Sequence, residues 1–377
     1  MRSHSIENLL NDGTIIARGA LDFDIRSQGV SPRRLPSWTR TQIPQMMDAM
    51  ARMPSGVRLQ FNTNASSLGL SFLGSITVAP GAIPRKIVLN LESNGRLQSH
   101  QSEKGNRIQL APDGGYRLLR GEPDTAWFRN LGTTERFSEI WLPHNAFVEL
   151  RSLELTDGAT LSPPQDVRKQ WLHYGSSISH CMEAEEPAYI WPAVAARNSD
   201  VNMQNLGFGG QCHLDQFVAR TIRDSQTDLI SIKTGINVIN MDSMRERVFI
   251  PAVHGFIDTI REGKPQTPII IISPIYCPSA ETHPGPTIPN NVGKFETIKG
   301  FEALRQGCLT LEKVREILEQ VVKKRCEIGD ENLHYLDGLK LFGPQDAGDL
   351  PDDLHPNPAG YIRMGERFSE YLSKHIR

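Results

Sequence analysis

The chain has 377 residues, with 41 basic and 43 acidic side chains for a formal net charge of −2, and 38% of its residues are hydrophobic. That length exceeds the usual single domain, so two domains that each bury a core are expected. The near-zero charge balance, without a long block of like charge, excludes nucleic acid and an anionic membrane surface as expected partners and favours a neutral small molecule.

The N-terminal segment MRSHSIENLLNDG lacks the apolar core of a secretory leader, and no apolar run approaches bilayer-spanning length. A cytosolic protein with no membrane partner is therefore expected. Five cysteines, Cys181, Cys212, Cys277, Cys308 and Cys326, are odd in number, far apart and without a CxxC pair. That speaks against a disulfide framework and against a zinc knuckle.

Up to about residue 160, short alternating apolar runs recur between turn residues: GVRLQF (56–61), LGLSFLGSITVA (68–79), RKIVLNL (85–91), RIQL (107–110) and FVELRSLEL (147–155). Period-two alternation marks half-buried antiparallel strands, and their number predicts a β-sandwich or jelly roll over residues 1–160. TRTQIPQMMDAMARM (39–53) breaks the alternation and reads as a helix or a covering loop. The turn-rich DGATLSPPQDVRK (157–169), with its Pro-Pro pair, marks a boundary.

Beyond it, strand candidates WLHY (171–174), VNMQNL (201–206), DLISIK (228–233) and TPIIIIS (267–273) alternate with helix candidates. The helices are LDQFVARTIRD (214–224), FIPAVHGFIDTIREG (249–263), LEKVREILEQVVKKR (311–325) and the final AGYIRMGERFSEYLSKHI. Leu311, Val314, Leu318 and Val321 repeat at helical spacing and read as a core face. The alternation predicts right-handed βαβ units, a parallel sheet with helices on both faces over residues 166–377, and functional groups at the carboxyl ends of its strands.

Four strand-end loops carry such groups. After the first strand, YGSSIS (174–179) places serines at a strand-to-helix turn, where a hydroxyl can stand near exposed backbone N–H groups; alone, such a turn is mostly a plain connection. After the second, NLGFGGQC (205–212) has three glycines in four positions, suited to a backbone donor for an oxyanion or simply to a flexible link. It is not a dinucleotide fingerprint, because the third glycine of GxGxxG is missing. After the third, KTGINV (233–238) offers the amide of Asn237 behind a glycine bend. Near the C-terminus, LPDDLHPNPAG (350–360) puts His355 three residues after a carboxylate and just before Asn357 and Pro358, which suit the cap and first turn of the last helix. Each loop is weak evidence, but all four supply a group type that acyl transfer needs.

In this order the blocks resemble those of the SGNH/GDSL hydrolases, serine esterases and acylhydrolases with a flavodoxin-like fold. The resemblance covers about residues 166–377. It implies Ser177 as nucleophile, Asp352 as orienting carboxylate, His355 as base, and an oxyanion hole formed by the Ser177 and Gly210 backbone N–H groups and the Asn237 amide. It implies no metal or organic cofactor. The first half resembles the jelly-roll domain that precedes the catalytic domain in some carbohydrate esterases. Two positions depart from the family pattern: Ser176 and Val238 stand where aspartates are usual, and Asp353 competes with Asp352.

Rival readings are an α/β-hydrolase, whose G-x-S-x-G elbow would need glycine at Ser179; a cysteine nucleophile at Cys277; a metal at Cys212 and His213; and a non-catalytic sugar-binding protein. The expected activity is hydrolysis of a short acyl, acetyl-type, ester of a sugar or other polyhydroxylated small molecule, with a glycoside or natural-product intermediate as the expected partner. Acyl transfer to an acceptor other than water is the alternative. The acyl-chain preference is expected to come partly from the first domain and partly from the long segment 277–350, covering the site as a lid.

Overall fold

The computed structural model describes residues 1–111, 113, 115–298 and 302–374. The chain divides into two compact units: Met1–Arg40, Asp48–Val167 and Glu186–Ala188 form one, and Thr41–Met47, Arg168–Glu185 and Tyr189–Arg377 the other.

The first unit is a β-sandwich. One sheet runs in the order Tyr116–Leu119, Asn106–Leu110, Leu68–Val78, Phe147–Leu155, Val30–Arg33, Asp22–Ile25, with Arg2–Ser5 and Asp124–Phe128 attached beside this path. The second runs Leu161–Ser162, Arg58–Thr63, Arg136–Trp141, Ile87–Ser93, Arg96–Ser102, with Ile16–Arg18 attached to Arg58–Thr63. Period-two alternation is the cause: along Leu68–Val78, Leu70, Phe72, Ile76 and Val78 are buried while Ser71, Leu73, Ser75 and Thr77 are only half-buried. Leu70, Phe72, Leu150 and Leu153 of the first sheet share one core cluster with Leu59, Phe61, Leu91 and Ile140 of the second. Each such side chain contributes about 1.5–3 kcal/mol of apolar burial. Pairing is antiparallel except between Leu68–Val78 and Asn106–Leu110, which run parallel. The irregular stretch 39–53 holds a 3-10 turn, Ser37–Thr41, and a helix, Gln45–Arg52.

The second unit is a five-stranded parallel sheet with flanking helices. Its strands are β1 (Gln170–Gly175), β2 (Asn202–Gly207), β3 (Leu229–Lys233), β4 (Ile269–Ile272) and β5 (Leu333–Leu336). Their order in the sheet is β2-β1-β3-β4-β5, the flavodoxin-like order. The four isoleucines of β4 are all buried, as expected of a strand covered on both faces. The helices are α1 (Ser177–His180), α2 (Trp191–Asn198), α3 (Gln216–Asp224), α4 (Ile236–Asn240), α5 (Glu246–Gly263), α6 (Leu311–Glu327) and α7 (Pro358–Leu372). In α6 the residues at helical spacing, Leu311, Val314, Leu318 and Val321, are buried. The strand β5 and the helices α2 and α4 are additions to the expected elements; LHYL, WPAVAARN and INVIN are too short to display a period. Because the chain leaves β1 for β2 on one side and then crosses to β3 on the other, the loops after β1 and β3 meet at the switch point of the sheet. Among the described residues no helix is long and apolar enough to cross a membrane.

Candidate active site

The three serines after β1 have different surroundings. Ser176 is fully buried at the cap position before α1, and Ser179 is fully buried one turn on. The Ser179 hydroxyl lies 2.7 Å from His173 Nε2, and His173 Nδ1 lies 2.7 Å from the Ser231 hydroxyl, which also accepts from Trp171 Nε1 at 2.8 Å. Burial drives the His173 pKa well below its ordinary value, with the Lys233 charge adding to the effect, so this imidazole is neutral. Ser179 is thereby tied into a closed internal network. Ser177 is only half-buried, and its Oγ stands 2.9 Å from His355 Nε2.

Two glycines set the position of this turn. A Cβ on Gly207 would lie 2.5 Å from the Ser179 carbonyl carbon, and one on Gly175 would collide with the Ser179 hydroxyl. Asn205 completes the clamp: its Nδ2 donates to the Ser179 carbonyl at 2.9 Å, and its Oδ1 accepts from the Gly207 N–H at 2.9 Å.

His355 sits in the loop before α7, whose cap is Asn357; the Asn357 side chain accepts from the Gly360 N–H at 2.8 Å, and Pro358 takes the first helical position. His355 Nδ1 is 2.7 Å from Asp352 Oδ2, while Asp352 Oδ1 accepts from the backbone N–H groups of His355 (2.6 Å) and Leu354 (3.0 Å). Burial pushes the Asp352 carboxyl up, but the bonds from the His355 ring and from these backbone groups outweigh it, and its pKa is lowered. Asp353 turns away at φ +63° and pairs with Lys294 at 3.0 Å. The structure therefore places Asp352, and not Asp353, on the imidazole.

Segment 277–350 contributes α6 and β5 to the framework of the second unit. One part of it that reaches the His355 loop is a hairpin, Thr287–Pro289 with Phe295–Thr297. Its Phe295 N–H donates to the Asp352 carbonyl at 2.8 Å, and the Phe295 ring stands edge-on to the His355 ring at 5.6 Å.

The three expected oxyanion donors follow the carboxyl ends of β1, β2 and β3. Gly210 has φ +68°, a conformation that L side chains rarely adopt. Neither its N–H nor that of Ser177, the first residue of α1, has a hydrogen-bond acceptor among the described residues. Asn237 is buried in the first turn of α4, with its Oδ1 accepting the Cys212 N–H at 3.0 Å. That bond commits the oxygen and leaves the Nδ2 hydrogens as the donor end.

The thiol and metal readings fare differently. Burial pushes Cys277 and Cys212 each up to about 11, so neither is a thiolate at neutral pH. Cys277 Sγ donates to the Asp353 carbonyl at 3.2 Å. Among the described residues no group of three or more His, Cys, Asp or Glu side chains is placed to hold a metal. One buried cation stands behind the site: Lys233, at the end of β3, is 2% exposed, and burial pulls its ammonium down to about 8. Asn205, Phe295 and the His173–Ser179 pair escaped the sequence reading. Asn205 had a usable signal, an Asx residue beside the glycine turn; the other contacts join residues whose spacing carries none.

Residues 168–283 match the GDSL-like lipase/acylhydrolase family. A comparison with curated sequences finds no match. Among solved structures, the salicylyl-acyltransferase SsfX3 from a tetracycline biosynthetic pathway is 26% identical, with 100% of this chain and 99% of that chain covered at a TM-score of 0.82. A GDSL-like lipase from Bacteroides ovatus is 17% identical, with 100% and 98% covered and a TM-score of 0.70. A family two carbohydrate esterase from Cellvibrio japonicus is 14% identical, with 99% and 97% covered and a TM-score of 0.61. The likeness to the last two is one of fold.

Proposed function

We propose that Ser177, His355 and Asp352 form the triad of a serine esterase, a reading supported by the match of residues 168–283 to the GDSL-like lipase/acylhydrolase family. One observation carries this reading: Ser177 Oγ, the His355 ring and the Asp352 carboxylate form a single chain of hydrogen bonds, 2.9 and 2.7 Å long, at the carboxyl end of the sheet.

His355 Nδ1–H donates to Asp352, which fixes the tautomer that presents a bare Nε2 to the serine hydroxyl. As Ser177 Oγ attacks the ester carbonyl, its proton passes to Nε2, and Asp352 stabilises the resulting imidazolium. The Ser177 and Gly210 N–H groups and the Asn237 Nδ2 receive the oxyanion. Collapse of the tetrahedral intermediate breaks the C–O bond, and Nε2–H protonates the departing alcohol. Water then attacks the acyl-serine by the same route and frees the acid.

The substrate proposed is a short acyl, acetyl-type, ester of a sugar or another polyhydroxylated small molecule. It is supported by the near-neutral charge of the chain and by a fold shared with carbohydrate esterases that likewise join this catalytic unit to a β-sandwich. A second reading, transfer of the acyl group to an alcohol instead of water, is favoured by the end-to-end likeness to SsfX3.

The test is hydrolysis of p-nitrophenyl esters from acetyl to decanoyl, run with and without polyol and phenolic acceptors, with products resolved by mass. Acid release in every mixture supports the esterase; an acyl-acceptor product that grows at the expense of free acid supports transfer. No turnover by the folded chain, with Ser177→Ala indistinguishable from wild type, returns the protein to the sugar-binding alternative.

A further inference from the structure

Gly210 poses a mechanical problem. It has no side chain, and the position a Cβ would occupy has nothing within 4 Å, so no neighbour packed on that side fixes the residue. An oxyanion donor contributes only if its direction is set before the reaction starts. Hydrogen bonds to the peptide that follows the Gly210 N–H can fix the turn instead.

Two donors converge on its carbonyl. Gln211 Nε2 reaches it at 3.0 Å and His213 Nε2 at 3.2 Å. A carbonyl only accepts, so His213 carries its proton on Nε2, and in the neutral ring Nδ1 is then an acceptor. Nδ1 lies 2.9 Å from the hydroxyl of Ser243, which follows α4 and whose backbone N–H donates to the Val238 carbonyl at 3.1 Å. The imidazole thus spans from the Gly210 turn after β2 to the segment that carries Asn237 after β3. Next to it, the Cys212 N–H ties the same turn to the Asn237 side chain at 3.0 Å.

We propose that His213 is a positioning residue for acyl transfer, a strut that holds the Gly210 and Asn237 donors in one fixed relation. It acts through those donors and does not touch the reacting atoms. The proposal rests on the esterase reading given above.

The experiment measures kcat and KM for p-nitrophenyl acetate in His213→Ala, His213→Gln, Ser243→Ala, Asn237→Ala and the double variant His213→Ala/Asn237→Ala. Ser177→Ala serves as the blank, and thermal melting checks each fold. Loosening a donor costs less than removing it, so His213→Ala lowers kcat roughly tenfold with KM little changed. His213→Gln puts an amide N–H where Nε2–H stood and recovers most of the loss. Ser243→Ala falls in between. The double variant loses less than the product of the two single losses, because both act on one constellation.

Wild-type kcat in His213→Ala overturns the strut, as does an equal loss in His213→Ala and His213→Gln. If His213→Ala does not fold, the Gln and Ser243 variants decide alone. A wild-type chain no more active than Ser177→Ala overturns the esterase reading itself, an outcome distinct from failure of the strut.

Discussion

Cys212 gives its backbone N–H to the side-chain oxygen of Asn237 at 3.0 Å, so one end of that amide is occupied by the fold and the other is left to donate. A residue in the loop after β2 thereby decides the orientation of a side chain in the helix that follows β3. Asn237→Ala removes the donor and is expected to lower kcat about 100- to 1000-fold with KM nearly unchanged. Asn237→Asp is expected to do no better, because the carboxylate accepts from Cys212 and offers no hydrogen in return. Steady-state kinetics on a short-chain ester checks both.

Ser177→Ala is expected to lose roughly 10⁴-fold or more in turnover with the fold intact. Ser179→Ala is expected to retain the chemistry and lose stability, because it leaves a buried His173 nitrogen without its partner at a cost of about 1–3 kcal/mol. A fluorophosphonate probe followed by peptide mapping is expected to label Ser177 in wild type and in Ser179→Ala alike.

The pKa of Asp352 is lowered in the folded chain, so its bonds to His355 and Leu354 contribute stability above the ordinary carboxyl pKa. That contribution is lost as pH falls through the lowered folded value. Asp352→Asn is therefore expected to flatten the acid limb of the stability curve as well as to reduce kcat. Melting temperature measured from pH 6 down to acid unfolding, for both proteins, is the check.

Lys233 gives a pH dependence of opposite sense. Its folded pKa, pulled from 10.5 to about 8, makes the folded chain bind a proton less readily than the unfolded chain. Stability is thus expected to rise between about pH 8 and pH 10.5, and the full penalty applies below pH 8. At neutral pH, Lys233→Met is expected to stabilise the protein by about 3 kcal/mol. Urea unfolding of the two proteins at pH 7 and pH 9.5 tests this, with the gap between them narrowing at the higher pH.

Cys277 and Cys212, buried and protonated, are expected to resist iodoacetamide at pH 7.5, while the partly exposed Cys308 is labelled. Full esterase activity after labelling, with the modified cysteines identified by mass, is the expected result. Inactivation in step with alkylation of Cys277 would restore the cysteine nucleophile.

Much of this architecture was legible in the chain. Leu70, Phe72, Ile76 and Val78 alternate with more exposed neighbours because one face of their strand meets the core, and Leu311, Val314, Leu318 and Val321 recur because a helix turns every 3.6 residues. The order of the four strand-end loops was legible for the same reason, as topology brings carboxyl ends together. The choice among three serines came only from family register. Its physical basis, the bond from Ser179 to His173, depends on how the turn folds back over β1, and spacing does not show that. Phe295 and the bond from His213 to Ser243 were out of reach for a similar reason: Phe295 meets Asp352 across 57 positions and His213 meets Ser243 across 30, contacts that exist only in three dimensions.

The hydrogen bond from Ser177 to His355 joins positions 178 apart in the sequence. The proposed nucleophile stands after the first strand of the parallel sheet and its proposed base just before the last helix, so no shorter stretch of the second unit contains both. During refolding, secondary structure can return in pieces, but with this proposed triad ester cleavage is expected to return only after the final helix has docked. Enzyme activity therefore counts finished molecules, and its lag behind circular dichroism would time the last step of folding.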